Sequence, residues 1–328
     1  MRILVSGGAG FIGSHYVRSA LSGEYARLSD AEIVVLDKLT YAGNRSNLEP
    51  VTDSERLRFV EGDILDVALV EALMEDVDEV VHFAAESHVD RSITGAAEFV
   101  MTNVAGTQTM LQAALDKGVT RFVHVSTDEV YGSIESGSWT EGSPLEPNSP
   151  YSASKAGSDL IARAYHRTHG LPVMITRCSN NYGPYQLPEK VIPLFVTNLI
   201  EGRRLPLYGD GLNVRDWLHV DDHCRAIHLV LHGGRPGEVY NIGGGTELSN
   251  RELTGLLLEA TGTGWDRVRN VTDRLGHDLR YSVDDTRIRT ELGYQPQVPF
   301  TAGLAETVRW YRENRAWWEP LKARAHLG

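Results

Sequence analysis

The feature that most constrains this chain is a rhythm in its first half. Short apolar runs alternate with stretches of helical composition: "RILVSG" at 2–7, "EIVVLD" at 32–37, "RLRFVEGD" at 56–63, "DEVVHFAA" at 78–85, "RFVHVST" at 121–127 and "PVMITRC" at 172–178. The runs are rich in Val, Ile and Phe and several are nearly continuous, the pattern of parallel strands buried on both faces. Helices are expected between them at 11–23, 66–75, 96–117 and 151–169. Strand and helix repeated in this way predict an α/β fold built on a doubly wound parallel sheet. Past residue 180 the rhythm stops. Helices are expected at 190–202, 220–232, 249–261, 284–292 and 301–314, and segments such as "GDGLNVRDWLHVDD" and "NIGGGTELSNREL" read as irregular. The expected organisation is residues 1–180 for the sheet and 181–328 for a smaller mixed α/β lobe, some of whose segments return to the first.

The first strand runs straight into "SGGAGFIGSH", with Gly7, Gly10 and Gly13 at the opening of a helix. Glycine there permits a tight turn and a close approach of the backbone to a pyrophosphate resting on the helix N-terminus. A strand before and a helix after are the context that makes a glycine triplet a dinucleotide-binding turn of Rossmann type. Strand two ends at Asp37, the expected place for an acid that accepts from a ribose and repels a 2′-phosphate, so NAD is expected rather than NADP. Lys38 follows directly. Asp63 ends strand three and either reaches the adenine or caps the next helix.

A net charge of −12 over 328 residues argues against nucleic acid or an anionic membrane surface as a partner. Two cysteines, Cys178 and Cys224, are no disulfide framework, and a reducing cytoplasmic setting is expected. No run of about eighteen apolar residues offers a membrane span, and the N-terminal segment reads as a strand rather than a leader. No metal site is expected. The twelve histidines suggest no helical pair four apart with an acid beside it, and "HVDDHC" at 219–224 reads as a helix start capped by its acids.

"PYSASKAGSD" places Tyr151 and Lys155 four apart at the start of a helix, on one face. A neighbouring ammonium stabilises a phenolate, so the pair can take a proton from a substrate hydroxyl as hydride leaves the carbon. "VHVSTDEVYG" delivers Thr127, Asp128 and Glu129 at the end of a buried strand. Two carboxyls with separated pKa values supply one acid and one base, which is what elimination of water across neighbouring carbons requires. The residues alone leave open which acid plays which part.

Taken together, the glycine turn, "HFAAESHVDRS", "STDEVYG" and Tyr-x-x-x-Lys resemble the extended short-chain dehydrogenase/reductases that act on nucleotide sugars. With "YSASKAGSD" and "RCSNNYGPYQ", the similarity is strongest to the branch that dehydrates dTDP-glucose. The resemblance spans essentially the whole chain. It implies C4 oxidation with bound NAD, loss of water across C5 and C6, and hydride return to C6. It assigns Asp128 as the acid toward the C6 oxygen, Glu129 as the base at C5 and Thr127 to the C4 oxygen beside Tyr151. It carries Phe11, Ile12, Thr40, Ile64, Ala84, Ala85, Cys178 and Asn181 to the cofactor along with the glycines, Asp37, Lys38 and Asp63. It carries Ser87, His88, Asn180, Lys190, Val191, Arg215, Asn250, Asp273, Arg274 and His277 to the sugar and diphosphate, and Pro206 and Tyr208 to the base. Arg280 is a further candidate cation by residue type alone. A homodimer through helices 96–117 and 151–169 is the family expectation. A nucleotide-sugar 4-epimerase or decarboxylase of the same fold is the alternative reading. A non-catalytic NAD sensor would have no need of the tyrosine base, and thymidine over uridine rests on the resemblance.

Overall fold

Five of the six apolar runs form strands buried on both faces because helices cover both sides of them; the run at 56–63 forms an edge strand that stays partly exposed. The computed structural model describes residues 1–324. Strands β1 (Arg2–Ser6), β2 (Glu32–Asp37), β3 (Leu57–Glu61), β4 (Glu79–His82), β5 (Arg121–Thr127) and β6 (Val173–Cys178) fall where the runs lie. They are followed by β7 (Asn180–Tyr182), β8 (Leu205–Tyr208), β9 (Val214–His219), β10 (Val239–Ile242), β11 (Glu247–Ser249) and β12 (Val268–Val271). Seven strands form one sheet in the order β10-β6-β5-β4-β1-β2-β3, every pair parallel. The direction of winding reverses between β1 and β4, the switch point where ligands bind in open α/β sheets.

The first-half helices are α1 (Phe11–Leu21), α2 (Val67–Met74), α3 (Val89–Thr94), α4 (Ala96–Phe99), α5 (Thr107–Lys117) and α6 (Pro150–His169). The second half adds α7 (Val191–Ile200), α8 (Val220–Gly233), α9 (Asn250–Thr261), α10 (Thr286–Leu292), α11 (Phe300–Glu313) and α12 (Arg315–Arg324). One apolar layer joins α1 and α8 to one face of the sheet through Tyr16, Val17, Ile227 and Val230. A second joins α2, α5 and α6 to the other through Val70, Leu111 and Ala162. Each such buried side chain contributes roughly 1.5–3 kcal/mol relative to exposure.

The structure corrects three expectations. The helix expected over 96–117 is interrupted by a π-helical segment, Val100–Gly106. There Gly106 lets Ile64 approach so closely that a Cβ would lie 2.5 Å from Ile64 Cδ1. The "irregular" stretch 209–222 contains β9, the centre of a three-stranded sheet β11-β9-β7. Its mixed pattern, "VRDWLH", hid it because Arg215 and Asp216 are buried for polar reasons. "NIGGGTELSNREL" likewise holds the end of β10, which closes the large sheet against β6, and β11. Leu257, Phe195, Trp217 and Trp318 pack the core beneath this second sheet.

Candidate active site

A cavity of about 300 Å³ opens along the C-terminal ends of the parallel strands. Every residue expected to hold the cofactor, from Gly7 to Asn181, lines it. Gly7 has φ +73°, and a Cβ on it would sit 2.6 Å from Ala84 N; one on Gly13 would sit 2.3 Å from Gly7 O. No side chain caps α1 and no acid stands in its first turn, so its N–H groups are left to an anion. Asp37 accepts from Ala9 N at 2.9 Å and from Leu39 N at 2.8 Å, and its carboxylate stays at the cavity wall. Lys38 turns to Asp63 at 2.6 Å, and Asp63 also accepts from Leu65 N at 3.0 Å. A helix N-terminus for a diphosphate and a carboxylate for a ribose diol fit a dinucleotide without a 2′-phosphate.

Across the cavity, α6 begins where Ser149 accepts from Ser152 N and Pro150 takes the first helical position. This presents Tyr151 and Lys155, both buried. Lys155 donates to Val125 O at 2.9 Å, and burial lowers its pKa to about 8. Burial pushes the Tyr151 phenol well up, and Glu129 adds to the rise; a hydrogen bond with Thr127 opposes it. The expected lowering of the phenol by Lys155 is therefore not what dominates; burial is.

The two acids sit on a 3₁₀ turn, Asp128–Tyr131, that begins as β5 ends. Thr127 accepts from Glu129 N at 3.2 Å and donates to Asp128 Oδ1 at 3.3 Å. Their surroundings differ. Asp128 is 2% exposed, and its Oδ2 has no partner. Burial raises its pKa well above the usual range, and Glu129 and Asp216 push it further. Glu129 accepts from Ser152 Oγ at 3.3 Å. Burial raises its pKa too, but Arg274, Lys190 and Arg215 all oppose the rise. Burial shifts both carboxyls upward; neighbouring carboxylates push Asp128 further, whereas three cations pull Glu129 back.

Of the residues expected at the substrate, Ser87, Thr127, Asn180 and Lys190 line the cavity. Lys190 donates to Ser87 O at 2.8 Å, and Asn180 Oδ1 is buried without a partner. A second group gathers beyond Glu129. Arg274 lies 3.6 Å from Asp90, Tyr208 donates to Asp90 at 3.5 Å, and His277 bonds Asp273 at 2.6 Å. The Tyr208 and His277 rings meet edge on at 6.1 Å. Arg215 is buried, donates to Asp278 O at 3.0 Å and lies over the Tyr281 ring at 4.2 Å. His88, Val191, Pro206 and Asn250 stand outside the cavity lining: His88 is 3.4 Å from Glu189, Val191 opens α7, Pro206 lies on β8 and Asn250 opens α9. Arg280 is committed to Glu247 through two 2.8 Å bonds.

Sequence reasoning missed a chain of contacts that runs behind Ser87 at the cavity wall. Tyr41 accepts from Ser87 N at 3.3 Å, Arg91 lies 4.1 Å over the Tyr41 ring, and Arg91 Nε donates to Glu189 at 3.0 Å. The partners are too far apart in sequence for any local pattern to mark them. The histidine reading also needs correction. His228 and His232 are four apart on α8, and Glu79 lies 3.8 Å from His232. Burial lowers both pKa values to about 4; Arg27 adds to the fall at both histidines, and His228 and Arg121 add to it at His232. No group of three His, Cys, Asp or Glu side chains among the described residues is arranged to hold a metal ion. At 219–224 the helix cap is His219, which accepts from Asp221 N; Asp222 instead accepts from Gln297 N and Val298 N.

A family model described as GDP-mannose 4,6 dehydratase matches residues 4–307. The chain is 62% identical over 323 residues to a dTDP-glucose 4,6-dehydratase of Streptomyces niveus, covering 98% of this chain and 96% of that one. The crystal structure of DesIV, a dTDP-glucose 4,6-dehydratase of Streptomyces venezuelae with NAD bound, superposes with a TM-score of 0.97 at 70% identity. That match covers 98% of this chain and 100% of the other. A UDP-glucose 4-epimerase of Thermotoga maritima superposes at 0.88 with 31% identity, over 96% of this chain and 100% of its own. The fold, the cavity and these likenesses agree: the chain belongs to the GDP-mannose 4,6 dehydratase family.

Proposed function

We propose that this chain dehydrates dTDP-glucose to dTDP-4-keto-6-deoxyglucose. The observation that carries the reading is the divided environment of Asp128 and Glu129 beside Tyr151. A 4-epimerase needs the tyrosine and the cofactor but no second acid and base, so the paired carboxyls favour dehydration over that alternative.

NAD, when bound along the glycine turn, accepts the hydride from C4 and returns it to C6, so none is consumed. Gly7, Gly10 and Gly13 give it room, and Asp37 holds its ribose. Tyr151, with Thr127 at the same oxygen, takes the proton from the C4 hydroxyl; Lys155 beside it keeps positive charge near the developing phenolate. The resulting 4-ketone acidifies C5. Glu129, the carboxyl that the three cations draw toward the anion, removes the C5 proton. Asp128, the carboxyl kept neutral by burial, protonates the C6 oxygen as it leaves as water. A proton then returns to C5. Separation of two carboxyl pKa values by environment is what lets one act as base and the other as acid at one pH. Arg215, Arg274 and Lys190 serve the diphosphate as well as Glu129, and Tyr208 stacks on the base.

We further read the chain as a cytoplasmic homodimer. Both cysteines are buried and unpaired, and no described helix is long and apolar enough to cross a membrane. Val100, Met101 and Leu160 are large apolar side chains left about half exposed on the segments 96–117 and 151–169. Those segments lie side by side, with Gln108 donating to Tyr165 at 2.9 Å. Packing them against a second copy would bury this patch. The functional test is direct: incubate the chain with dTDP-glucose and, separately, UDP-glucose without added NAD. Loss of one water from dTDP-glucose supports the reading, and an isomer of unchanged mass overturns it.

A further inference from the structure

Behind the cavity a chain of buried polar groups ties the two reacting segments together. Asp159 lies one turn beyond Lys155 and two beyond Tyr151 on α6, so the three share a helix face. It is fully buried. Its Oδ2 accepts from Arg177 Nε at 2.8 Å, and its Oδ1 lies 3.3 Å from His124 Nε2. Arg177, also fully buried, donates to the Tyr131 hydroxyl at 2.8 Å, with its guanidinium 4.8 Å from that ring's centre. Tyr131 closes the 3₁₀ turn that carries Asp128 and Glu129, and it donates on to Asn241 at 2.8 Å. A buried ion pair adds little net stability over well-packed apolar residues, so this one's place between two reacting segments asks for another explanation.

We propose that Asp159 is a positioning residue for the oxidation step: its buried carboxylate holds Lys155 as an ammonium, while Arg177, bound to it, fixes Tyr131 and the turn bearing the two acids. This rests on the reading of Tyr151 and Lys155 as the oxidising pair. The groups around Lys155 leave Asp159 a specific part. Cys178 faces it from β6, His124 from β5 and His82 from β4, with Tyr151 on its own helix. Burial holds both histidines and the thiol in their neutral forms. Arg177, His124 and Tyr131 in turn face Asp159, whose pKa is lowered to about 2, so it stays charged throughout the working range. Burial drives the Lys155 pKa down to about 8, and the Asp159 carboxylate, one helical turn away, resists the fall.

The test uses the full-length chain with Asp159→Asn, Asp159→Glu and the double variant Asp159→Asn/Arg177→Gln. The double variant removes both charges, so it leaves no stranded buried guanidinium and decides the matter if the single Asn variant does not fold. The alkaline limb of kcat is expected to move to lower pH by about one unit or more in the Asn-containing variants, given one charge at helix-turn distance in a partly shielded interior. Asp159→Glu is expected to restore it. Competitive acylation of Lys155, referenced to Lys190 and read by mass spectrometry, is expected to shift in parallel and requires no turnover. A folded double variant whose acylation profile matches the parent overturns the proposal. Because acylation is independent of product identity, that failure is distinguishable from failure of the dehydration reading, which shows in the product.

Discussion

Asp128→Asn separates proton donation from every other property of that side chain. Asparagine has nearly the same volume, keeps an oxygen for the Thr127 hydroxyl that now donates at 3.3 Å, and is neutral, as the buried acid is held by its surroundings. What it lacks is a proton to give to the C6 oxygen. Positioned general acids contribute about 10²–10⁴-fold, so dehydration should slow by that factor, or about 3–5 kcal/mol of barrier. C4 oxidation uses Tyr151 and should persist, so reduced nicotinamide should accumulate after substrate is added. The readouts are the absorbance of the reduced cofactor and water loss by mass. Stability should move the other way. A carboxyl whose folded pKa is raised contributes stability that is present below its unfolded value of about 3.9 and lost as pH rises toward the folded value. Asparagine has no such loss, so at pH 7 the variant should melt no lower than the parent. Dehydration within tenfold of the parent, with no build-up of reduced cofactor, would refute the assignment.

Other expectations follow from the same geometry. Glu129→Gln should leave the C5 deuteron of labelled substrate in place while C4 is still oxidised; unchanged deuteron loss would contradict Glu129 as base. Asp37→Ser removes the acceptor of the Ala9 and Leu39 N–H groups and of the ribose. Hydrogen bonds to charged groups are worth about 1.5–3 kcal/mol, so NAD should bind roughly ten- to a hundredfold more weakly, measured by calorimetry on stripped protein. His228 and His232 are held neutral with pKa values lowered to about 4. Their contribution to stability is present above about 6.5 and lost as pH falls through 4. Replacing both by Gln should flatten the fall in melting temperature between pH 6.5 and 4, and an unchanged slope would show that other groups govern acid unfolding.

The parts of this molecule legible in its sequence are those where one physical demand acts alone. The runs of β1, β2, β4, β5 and β6 answer chiefly to burial on both faces, and the glycine turn only to backbone approach, so pattern and spacing identify both; β3, at the sheet edge, is only partly covered. β9 answers to two demands. Arg215 and Asp216 are buried, yet Arg215 faces the acids, and Asp216 binds Gly244 N and Thr246 N at 2.8 Å each; the strand therefore reads as a loop. The acids at 128 and 129 were visible as a pair, but their division of labour depends on Arg274, Lys190 and Arg215, which the fold brings from other segments. The contacts among Tyr41, Arg91 and Glu189 and the chain from Asp159 to Tyr131 are products of topology, and no local signal announces them. His228 and His232 were in plain view four residues apart; their acid, Glu79, comes from a different strand.

The most direct measurement follows one atom. With dTDP-glucose deuterated at C4 and no added NAD, the account predicts a product lighter by one water, with the deuterium carried to C6 of the same molecule and none lost to solvent. Deuterium retained at C4, or a product of unchanged mass, would contradict it.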